Sequence, residues 1–578
     1  MQTADPKTMS SAMSKQASSL PCCVVILDSL PYRHPKGLTA RVLGTMNSVL
    51  QKRQSSIIGL FLVLSVFILS CESGKVLVYP LHGSHWVNMK VLITALHSRG
   101  HSITVIRPSS CLYVEEDPSL FTTITVNDGI ENMGEYLTEH LNEMMEFKRG
   151  EKSVLTFLKI QRNFFSVISY LHLVGCNTVS KIIEDKELIK RLQDEQYDLF
   201  LTDPAMTAAV VLGRYLKLPL VLNARWITSW EGHFAIAPSP VSYIPILGTG
   251  LSDQMTFFQR VKNSLFYAMT LLQDAFLVWP HYKALCDKYF DEDCDIVRFI
   301  QEADIWLMRL DFVFDFPRPT MPNVVYMGGF QCKPAKPLPE DLEAFVQSSG
   351  EHGFIIMTLG TMVDSLPADK VHEIAAVFAK LPQKVIWRHL GPKPSTLGNN
   401  TLLVSWMPQN DLLGHSKIKA FVAHGGTNGV QEAIYHGVPV LGIPVVFDQL
   451  DNLVRLQTRG AAKILELSQL NGQTFEQLLL EVLNDDSYRT NMQRLSTLHR
   501  DQPMKPLDLA VFWLEYVMRN KGAPHLRTKA YRMPWYSYHS VDVILFLLSI
   551  AAVLIFTTAV FIRCVCRRAC GKRKVKNE

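Results

Sequence analysis

Along the middle of the chain, short apolar runs alternate with longer stretches in which apolar residues recur at helical spacing, and glycine, proline or a polar turn closes each one. Lys75-Val-Leu-Val-Tyr79 is the first such run; residues 87–98 then read as a helix ended by Arg99-Gly100-His101, and residues 102–106 as the next strand. That is a βαβ unit. Tyr197-Asp-Leu-Phe-Leu-Thr202, residues 354–357, Phe421-Val422-Ala423 and residues 438–444 repeat the strand pattern. Runs that are apolar throughout, rather than alternating, belong in parallel sheets covered by helices on both faces. The pattern predicts an α/β fold, with further amphipathic helices between residues 474 and 520, including 506–517. A proline-rich polar stretch at 331–340 reads as a linker, and 578 residues with 48% hydrophobic content suffice for two core-bearing domains.

Two other apolar segments bear on compartment. Residues 57–69, a run of 13 behind Lys52 and Arg53 and ahead of Ser70, Cys71 and Ser73, have the layout of a secretory signal and are too short to span a bilayer. Residues 543–562 give 20 positions without a charge, enough for a transmembrane helix, with Trp535, Tyr536 and Tyr538 as an aromatic belt before it. Arg563, Arg567, Arg568, Lys572, Arg573, Lys574 and Lys576 follow, which places the tail in the cytosol and residues 74 to about 538 in the lumen. The expected divisions are an N-terminal extension (1–55), a signal peptide (56–73), a first domain (74–330), the linker (331–340), a second domain (341–525), a juxtamembrane segment (526–542), the membrane helix (543–562) and a cytosolic tail (563–578). Residues 1–45 precede Met46, itself a suitable start for the leader, so they read as an alternative or mis-assigned start.

Composition adds exclusions more than assignments. A net charge of +5 is small for this length and much of the excess sits in the tail, so no nucleic-acid partner is implied. Cys111, Cys176, Cys286, Cys294 and Cys332 show no metal spacing, and their odd number yields no complete disulfide set. Cys564, Cys566 and Cys570 beside the span are candidates for palmitoylation, and Asn399-Asn400-Thr401 is a glycosylation sequon.

The chemistry concentrates between Phe421 and Gln449. His424-Gly425-Gly426 falls where a strand must turn into a helix, and adjacent glycines let backbone pass close to a bulky anion. Thr427 and Asn428 are N-cap candidates for a helix through His436, and a helix start offers N–H groups and a positive dipole end to a diphosphate. Glu432, one turn deeper on the face of Asn428, is placed to accept both ribose hydroxyls. Asp448-Gln449 closes the next strand with a carboxylate and an amide, a pair suited to the hydroxyls of a hexose. Upstream, Trp406 and Gln409 in a proline-broken loop supply a platform and an amide for a flat base.

Trp406 to Gln449 resembles the signature of the UDP-glycosyltransferases, in particular the animal UDP-glucuronosyltransferases, and the likeness spans nearly all of residues 74–578. The resemblance implies the fold called GT-B, two Rossmann-like domains facing a cleft, here with one C-terminal transmembrane helix, and final helices that cross back to the first domain. It implies that Trp406 stacks on uracil, Gln409 contacts base or ribose, His424 with Gly425 and Asn428 holds the diphosphate, Glu432 binds ribose, and Asp448 and Gln449 read the sugar. Gly360 and Thr361 match a further family loop near the phosphates, and Arg260 matches a position implicated in the glucuronate carboxylate. Ala423 departs from the Thr or Ser that many members carry before the histidine.

In the first domain, His85 follows one strand-like run and Asp203 ends another, so both reach one crevice; a carboxylate behind an imidazole fixes its tautomer and stabilises the imidazolium. Ser84-His85-Trp86 resembles the family's catalytic histidine motif and Asp203 its partner, with His82 as the rival. The implied reaction is transfer of glucuronate from UDP-glucuronate, as co-substrate, to a hydroxyl of a small lipophilic acceptor, with inversion and without metal or other cofactor. UDP-glucose, UDP-galactose or UDP-N-acetylglucosamine as donor, and a catalytically silent partner of active relatives in a homo- or hetero-oligomer, are the alternatives. Residues 154–174 suit an acceptor pocket, a membrane-leaning patch or plain helix core. Lys574 and Lys576, fifth and third from the end, resemble a dilysine retrieval signal, which implies a single-pass type I protein of the endoplasmic reticulum membrane.

Overall fold

The computed structural model describes residues 73–149, 153–225, 235–290, 294–360, 363 and 366–574. The expected N-terminal extension, residues 56–72 of the signal peptide, and Thr361 lie outside the described residues.

One sheet contains β1 (Lys75–Tyr79), β2 (Ser102–Pro108), β3 (Thr122–Val126), β4 (Leu199–Thr202), β5 (Leu220–Ala224), β6 (Ile305–Met308) and β7 (Val324–Tyr326), in the order β3-β2-β1-β4-β5-β6-β7. A second contains β8 (Phe354–Thr358), β9 (Lys384–Arg388), β10 (Thr401–Val404), β11 (Ile418–Ala423), β12 (Val440–Gly442) and β13 (Ala462–Ile464), in the order β10-β9-β8-β11-β12-β13. The pairings within both sheets are parallel.

Burial on both faces explains the continuous apolar runs. Leu77 packs with Ile182, Ile183 and Phe200 on one side of the first sheet, while Val76 and Val78 pack with Leu92 and Ile93 on the other. In the second sheet Met357 faces Phe378, and Ile356 faces Val430 and Ile434. Each such side chain contributes roughly 1.5–3 kcal/mol on burial.

The strand orders decide where ligands go. Val76 of β1 pairs with Ile103 on one side and Leu199 of β4 on the other, and Phe354 of β8 pairs with Lys384 and, across the reversal, with Ile418 of β11. Where strand order reverses, the loops at the carboxyl ends of the two central strands diverge and leave a crevice. Those loops carry His85 and Asp203 in the first domain and Gly360 and His424 in the second.

The two domains are joined twice. Residues 331–339 form the expected irregular connection, ended by a helix at Glu340–Gln347. Later, the helix Asp486–Arg500 packs on the second sheet through Met492 and Leu495, and the next helix, Pro506–Asn520, lays Ala510, Val511, Leu514 and Val517 onto the first sheet. The expected second domain (341–525) thus contains a piece of the first domain's core.

At the C-terminus a single helix runs Val541–Lys574, longer than the 20 residues expected, and an 18-residue window within Val541–Cys570 reaches a mean hydropathy of 2.8. It is long and apolar enough to cross a membrane and fits a single-pass anchor. Cys286 and Cys294 form a disulfide.

Candidate active site

Gly83, at φ +68°, turns the chain out of β1, a left-handed conformation that glycine adopts without strain. The helix that follows spans Ser84–Ser98, starting three residues before the expected 87–98, so His85 sits in its first turn. His85 Nδ1 lies 2.6 Å from Asp203 Oδ2 in a buried setting. Asp203 Oδ1 accepts the Ala205 N–H at 3.0 Å, and Arg309, buried at the end of β6, donates to Asp203 Oδ2 at 3.1 Å and lies 3.3 Å from His85 Nδ1. Burial pushes the Asp203 carboxyl up, but His85 and Arg309 outweigh it and hold the group below the usual carboxylate range. Burial lowers His85 below the ordinary imidazole value despite the opposing pull of Asp203, with Arg309 and Arg225 adding to the drop. The result is a neutral imidazole whose Nδ1 proton is held by a carboxylate and whose Nε2 is the basic atom. His82 has no carboxylate partner among the described residues, and burial takes its pKa to about 4.

The facing domain supplies an anion cradle. β11 ends at Ala423, and the helix Thr427–His436 starts after His424-Gly425-Gly426. A Cβ on Gly426 or Gly360 would stand 2.4 or 2.7 Å from His424 Nε2, so only glycines leave room for that ring. His424 Nδ1 is buried with no hydrogen-bond partner, and burial lowers its pKa to about 4. A neutral imidazole with an unmet polar atom beside a helix start fits a phosphate oxygen. The cap differs from expectation: Gly426 holds the N-cap position and no side chain closes the helix end. Thr427 instead donates its hydroxyl to Asp448 Oδ2 at 2.9 Å, which leaves the first-turn N–H groups uncapped by a side chain and pointed at the cleft.

Deeper along this helix, Glu432 Oε2 accepts from Gln409 Nε2 at 2.5 Å, and burial pushes its pKa up to about 7. Trp406 is 69% exposed, an indole face open to a planar group. Asp448 is buried, with Oδ2 accepting from Asn452 Nδ2 at 2.7 Å and Oδ1 3.8 Å from Arg225 Nη2. Gln449 Oε1 accepts from Val445 N–H at 2.7 Å and Val446 N–H at 2.9 Å, so its carbonyl oxygen shapes its own loop. Across the cleft Asn88, on the His85 helix, donates Nδ2 to Asn428 Oδ1 at 2.7 Å.

Arg260 is the expected site residue that the structure does not bring to this group. It lies on the exposed side of the helix Phe257–Gln273, and its guanidinium donates to the Met255 carbonyl at 3.3 Å. A cation that does reach the facing surfaces of both domains is Arg225, directly after β5, which donates to Ser84 Oγ and, at 3.4 Å, to Thr427 Oγ1. Sequence reasoning missed Arg225 and Arg309, although both carry the signal that exposed Asp203: a charged residue closing an apolar strand run.

Residues 74–576 match the family described as "UDP-glucoronosyl and UDP-glucosyl transferase". The chain belongs to this family. Rat UDP-glucuronosyltransferase 1A5 is 41% identical over 508 residues, covering 87% of this chain and 94% of that protein. Human UDP-glucuronosyltransferase 1A3 is 41% identical over 86% of this chain and 92% of its own length, and mouse UDP-glucuronosyltransferase 2A1 is 40% identical over 84% and 92%. Among solved structures, Phytolacca americana UGT2 complexed with UDP-2fluoro-glucose and pterostilbene aligns with a TM-score of 0.52 at 16% identity, over 78% of this chain and all of that one. The calicheamicin glycosyltransferase CalG4 aligns at 0.51 and 19% identity, over 78% and 99%. The fold is GT-B, two Rossmann-like domains with their switch points facing one cleft.

Proposed function

We propose that this family member transfers glucuronate from UDP-glucuronate to a hydroxyl of a small lipophilic acceptor, giving the inverted β-glucuronide. The observation that carries the reading is the buried 2.6 Å contact between His85 and Asp203, set across the cleft from the uncapped start of the Thr427–His436 helix. In this reaction His85 Nε2 takes the acceptor's hydroxyl proton as the acceptor oxygen bonds to the anomeric carbon. The bond from that carbon to the diphosphate oxygen breaks, and its electron pair leaves with UDP. Helix-start N–H groups and His424 meet the leaving group's charge, so this chemistry calls on no metal. Trp406 takes the uracil, Glu432 and Gln409 the ribose, and Asp448 with Gln449 the sugar.

A glucuronate donor needs a cation beside its carboxylate. Arg225, between Ser84 and Asp448, fills that role in this reading. The names of the relatives, all UDP-glucuronosyltransferases, point to the same donor. The leader, the basic tail and the Lys574 and Lys576 pair near its end support a luminal catalytic unit held in the endoplasmic reticulum membrane by one span.

The test is product formation by microsomes containing the full chain, offered phenols, steroids and bile acids with UDP-glucuronate, UDP-glucose, UDP-galactose or UDP-N-acetylglucosamine, beside a His85→Ala control. Glucuronide that vanishes in the control supports donor and base together. Transfer of another sugar overturns the donor, and no transfer from any donor overturns the enzymatic reading.

A further inference from the structure

The loop between β12 and the helix Gln449–Thr458 belongs to the second domain, yet side chains of the first domain hold it. The helix Met133–Arg149, which follows β3, buries Leu141, Met144 and Met145 in the second domain's core with Val445, Val446 and Leu467. Lys148 lies four and three residues beyond the two methionines, on the same helix face, and its Nζ donates to the Val445 carbonyl oxygen at 2.5 Å. The peptide that carries this oxygen also carries the Val446 N–H, which Gln449 Oε1 accepts at 2.9 Å. One amide plane is thus gripped from both edges, by an ammonium of the first domain and by the side chain of Gln449. A cation on the carbonyl polarises the amide and makes its N–H a better donor, so the two bonds reinforce each other. Burial lowers Lys148 to about 8 against the pull of Glu466 and Asp451, which leaves the ammonium the main form at neutral pH. The loop does not take this shape unaided. Phe447 has φ +53°, a left-handed conformation that strains a residue with a side chain and persists only where its surroundings enforce it. Its ring packs on Phe164 of the helix Val154–Glu184, with centroids 6.2 Å apart. On the far side Asp451 accepts the Gly248 and Gly250 N–H groups at 2.7 and 3.0 Å. Asp448 and Gln449 stand between these first-domain contacts.

We propose that Lys148 is a positioning residue for the donor's sugar: by fixing the Val445–Val446 peptide it holds the Gln449 amide with Oε1 turned into the loop and Nε2 left for a hexose hydroxyl. The proposal rests on the reading that Gln449 holds the sugar of the UDP-sugar. Adhesion alone does not account for this lysine. Leu141, Met144 and Met145 already attach the helix to the second domain, and burying an ammonium costs free energy that another apolar side chain would not. Its effect ends at the sugar, because Trp406, Gln409 and Glu432, which take base and ribose in the same reading, stand on other elements. Sugar recognition by the second domain is on this geometry a property of both domains, and Lys148 is the point at which the first domain enters it.

The test measures, by calorimetry on the purified full chain in detergent, the affinities for UDP-glucuronate and for UDP in the parent, Lys148→Met, Lys148→Arg, Gln449→Ala and the Lys148→Met/Gln449→Ala pair, with thermal unfolding as a check on folding. Lys148→Met is expected to bind UDP-glucuronate about tenfold more weakly, the low end of what a hydrogen bond to a charged group is worth, with UDP within about twofold of the parent. Lys148→Arg keeps a cation on the carbonyl and recovers most of the loss. Added to Gln449→Ala, Lys148→Met costs little more, because the amide it positions is gone. Equal losses for UDP and UDP-glucuronate, or a loss in the pair equal to the product of the two single losses, overturn the proposal and make Lys148 a general support of the second domain. A selective loss in Gln449→Ala with none in Lys148→Met overturns the proposal and leaves the reading of Gln449 standing. A Gln449→Ala variant without selective loss overturns that reading, and the proposal with it. Where Lys148→Met does not unfold cooperatively, Lys148→Gln, which keeps a neutral N–H donor, takes its place with a smaller selective loss expected, and the absence of one overturns the proposal.

Discussion

Gln431 Nε2 lies 2.6 Å from the carbonyl oxygen of Arg309, so a residue of the donor-side helix holds the strand end whose guanidinium braces Asp203. The same side chain accepts the Gly329 N–H at 3.0 Å through Oε1. All four groups are buried in one contact between domains. Gln431→Ala leaves a buried N–H and a buried carbonyl unmatched, at about 1–3 kcal/mol each. The expected outcome is a lowered unfolding temperature and a reduced kcat. Gln431→Glu keeps the acceptor for Gly329 and loses the donor to Arg309, so a kcat loss that persists in this variant assigns the effect to Arg309's position.

His85→Ala removes the base and is expected to lower kcat by about 10²–10⁴-fold while UDP binding, measured by calorimetry, stays within error of the parent.

The acid limb of kcat/KM should lie below the ordinary histidine value, because burial lowers His85 more than Asp203 raises it. Asp203→Asn removes the raising charge, so the limb moves further to acid as the rate falls. A limb that moves to higher pH in this variant contradicts the pairing.

Glu432 is held protonated by burial up to about pH 7, and a carboxylate that takes two ribose hydroxyls must ionise. UDP binding at that pH is expected to release a proton, read as a binding heat that changes with the ionisation enthalpy of the buffer. Glu432→Gln abolishes that buffer dependence. In the free protein the sign is reversed for stability: the protonated carboxyl favours the fold below its unfolded value, and this contribution is lost as pH rises through about 7.

Trp406→Ala removes an exposed indole with little support from the core, so the unfolding temperature should hold while UDP affinity drops by roughly 1–3 kcal/mol, the worth of a stacked base.

Arg225→Gln should cost UDP-glucuronate about 1.5–3 kcal/mol in kcat/KM, the loss of a charged hydrogen bond, and change UDP-glucose much less. Equal losses with both donors would assign Arg225 to the diphosphate or to the cleft's architecture instead.

The strand pattern made the α/β architecture legible because parallel strands buried on both faces favour unbroken apolar runs, as residues 76–79, 354–357 and 421–423 show. His85 with Asp203 was readable because topology carries strand ends to a common crevice whatever their distance in sequence. Side chains that act across the cleft were not. Nothing local in Leu220–Ala224 says that Arg225 will meet Thr427 and Asp448, because that contact is set by how two separately folded sheets face each other. The start of the Thr427–His436 helix was misjudged for a related reason: Thr427 is a good cap by propensity, but Asp448, brought in from the next strand, takes its hydroxyl. Arg260 resembled a ligand by its neighbours in sequence alone, and an exposed helix face carried it elsewhere.

The return of the Pro506–Asn520 helix onto the first sheet means that two covalent passages, near residues 331–339 and 501–505, connect the halves of this molecule. Beyond these two crossings the halves are also bonded side chain to side chain, by Gln431 on the Arg309 carbonyl and by Arg455 with Asp315 at 2.7 Å. A chimera that borrows its first domain from a relative and joins it at the linker would therefore keep a foreign last helix, since Ala510, Val511, Leu514 and Val517 would have to fit a sheet they were never matched to.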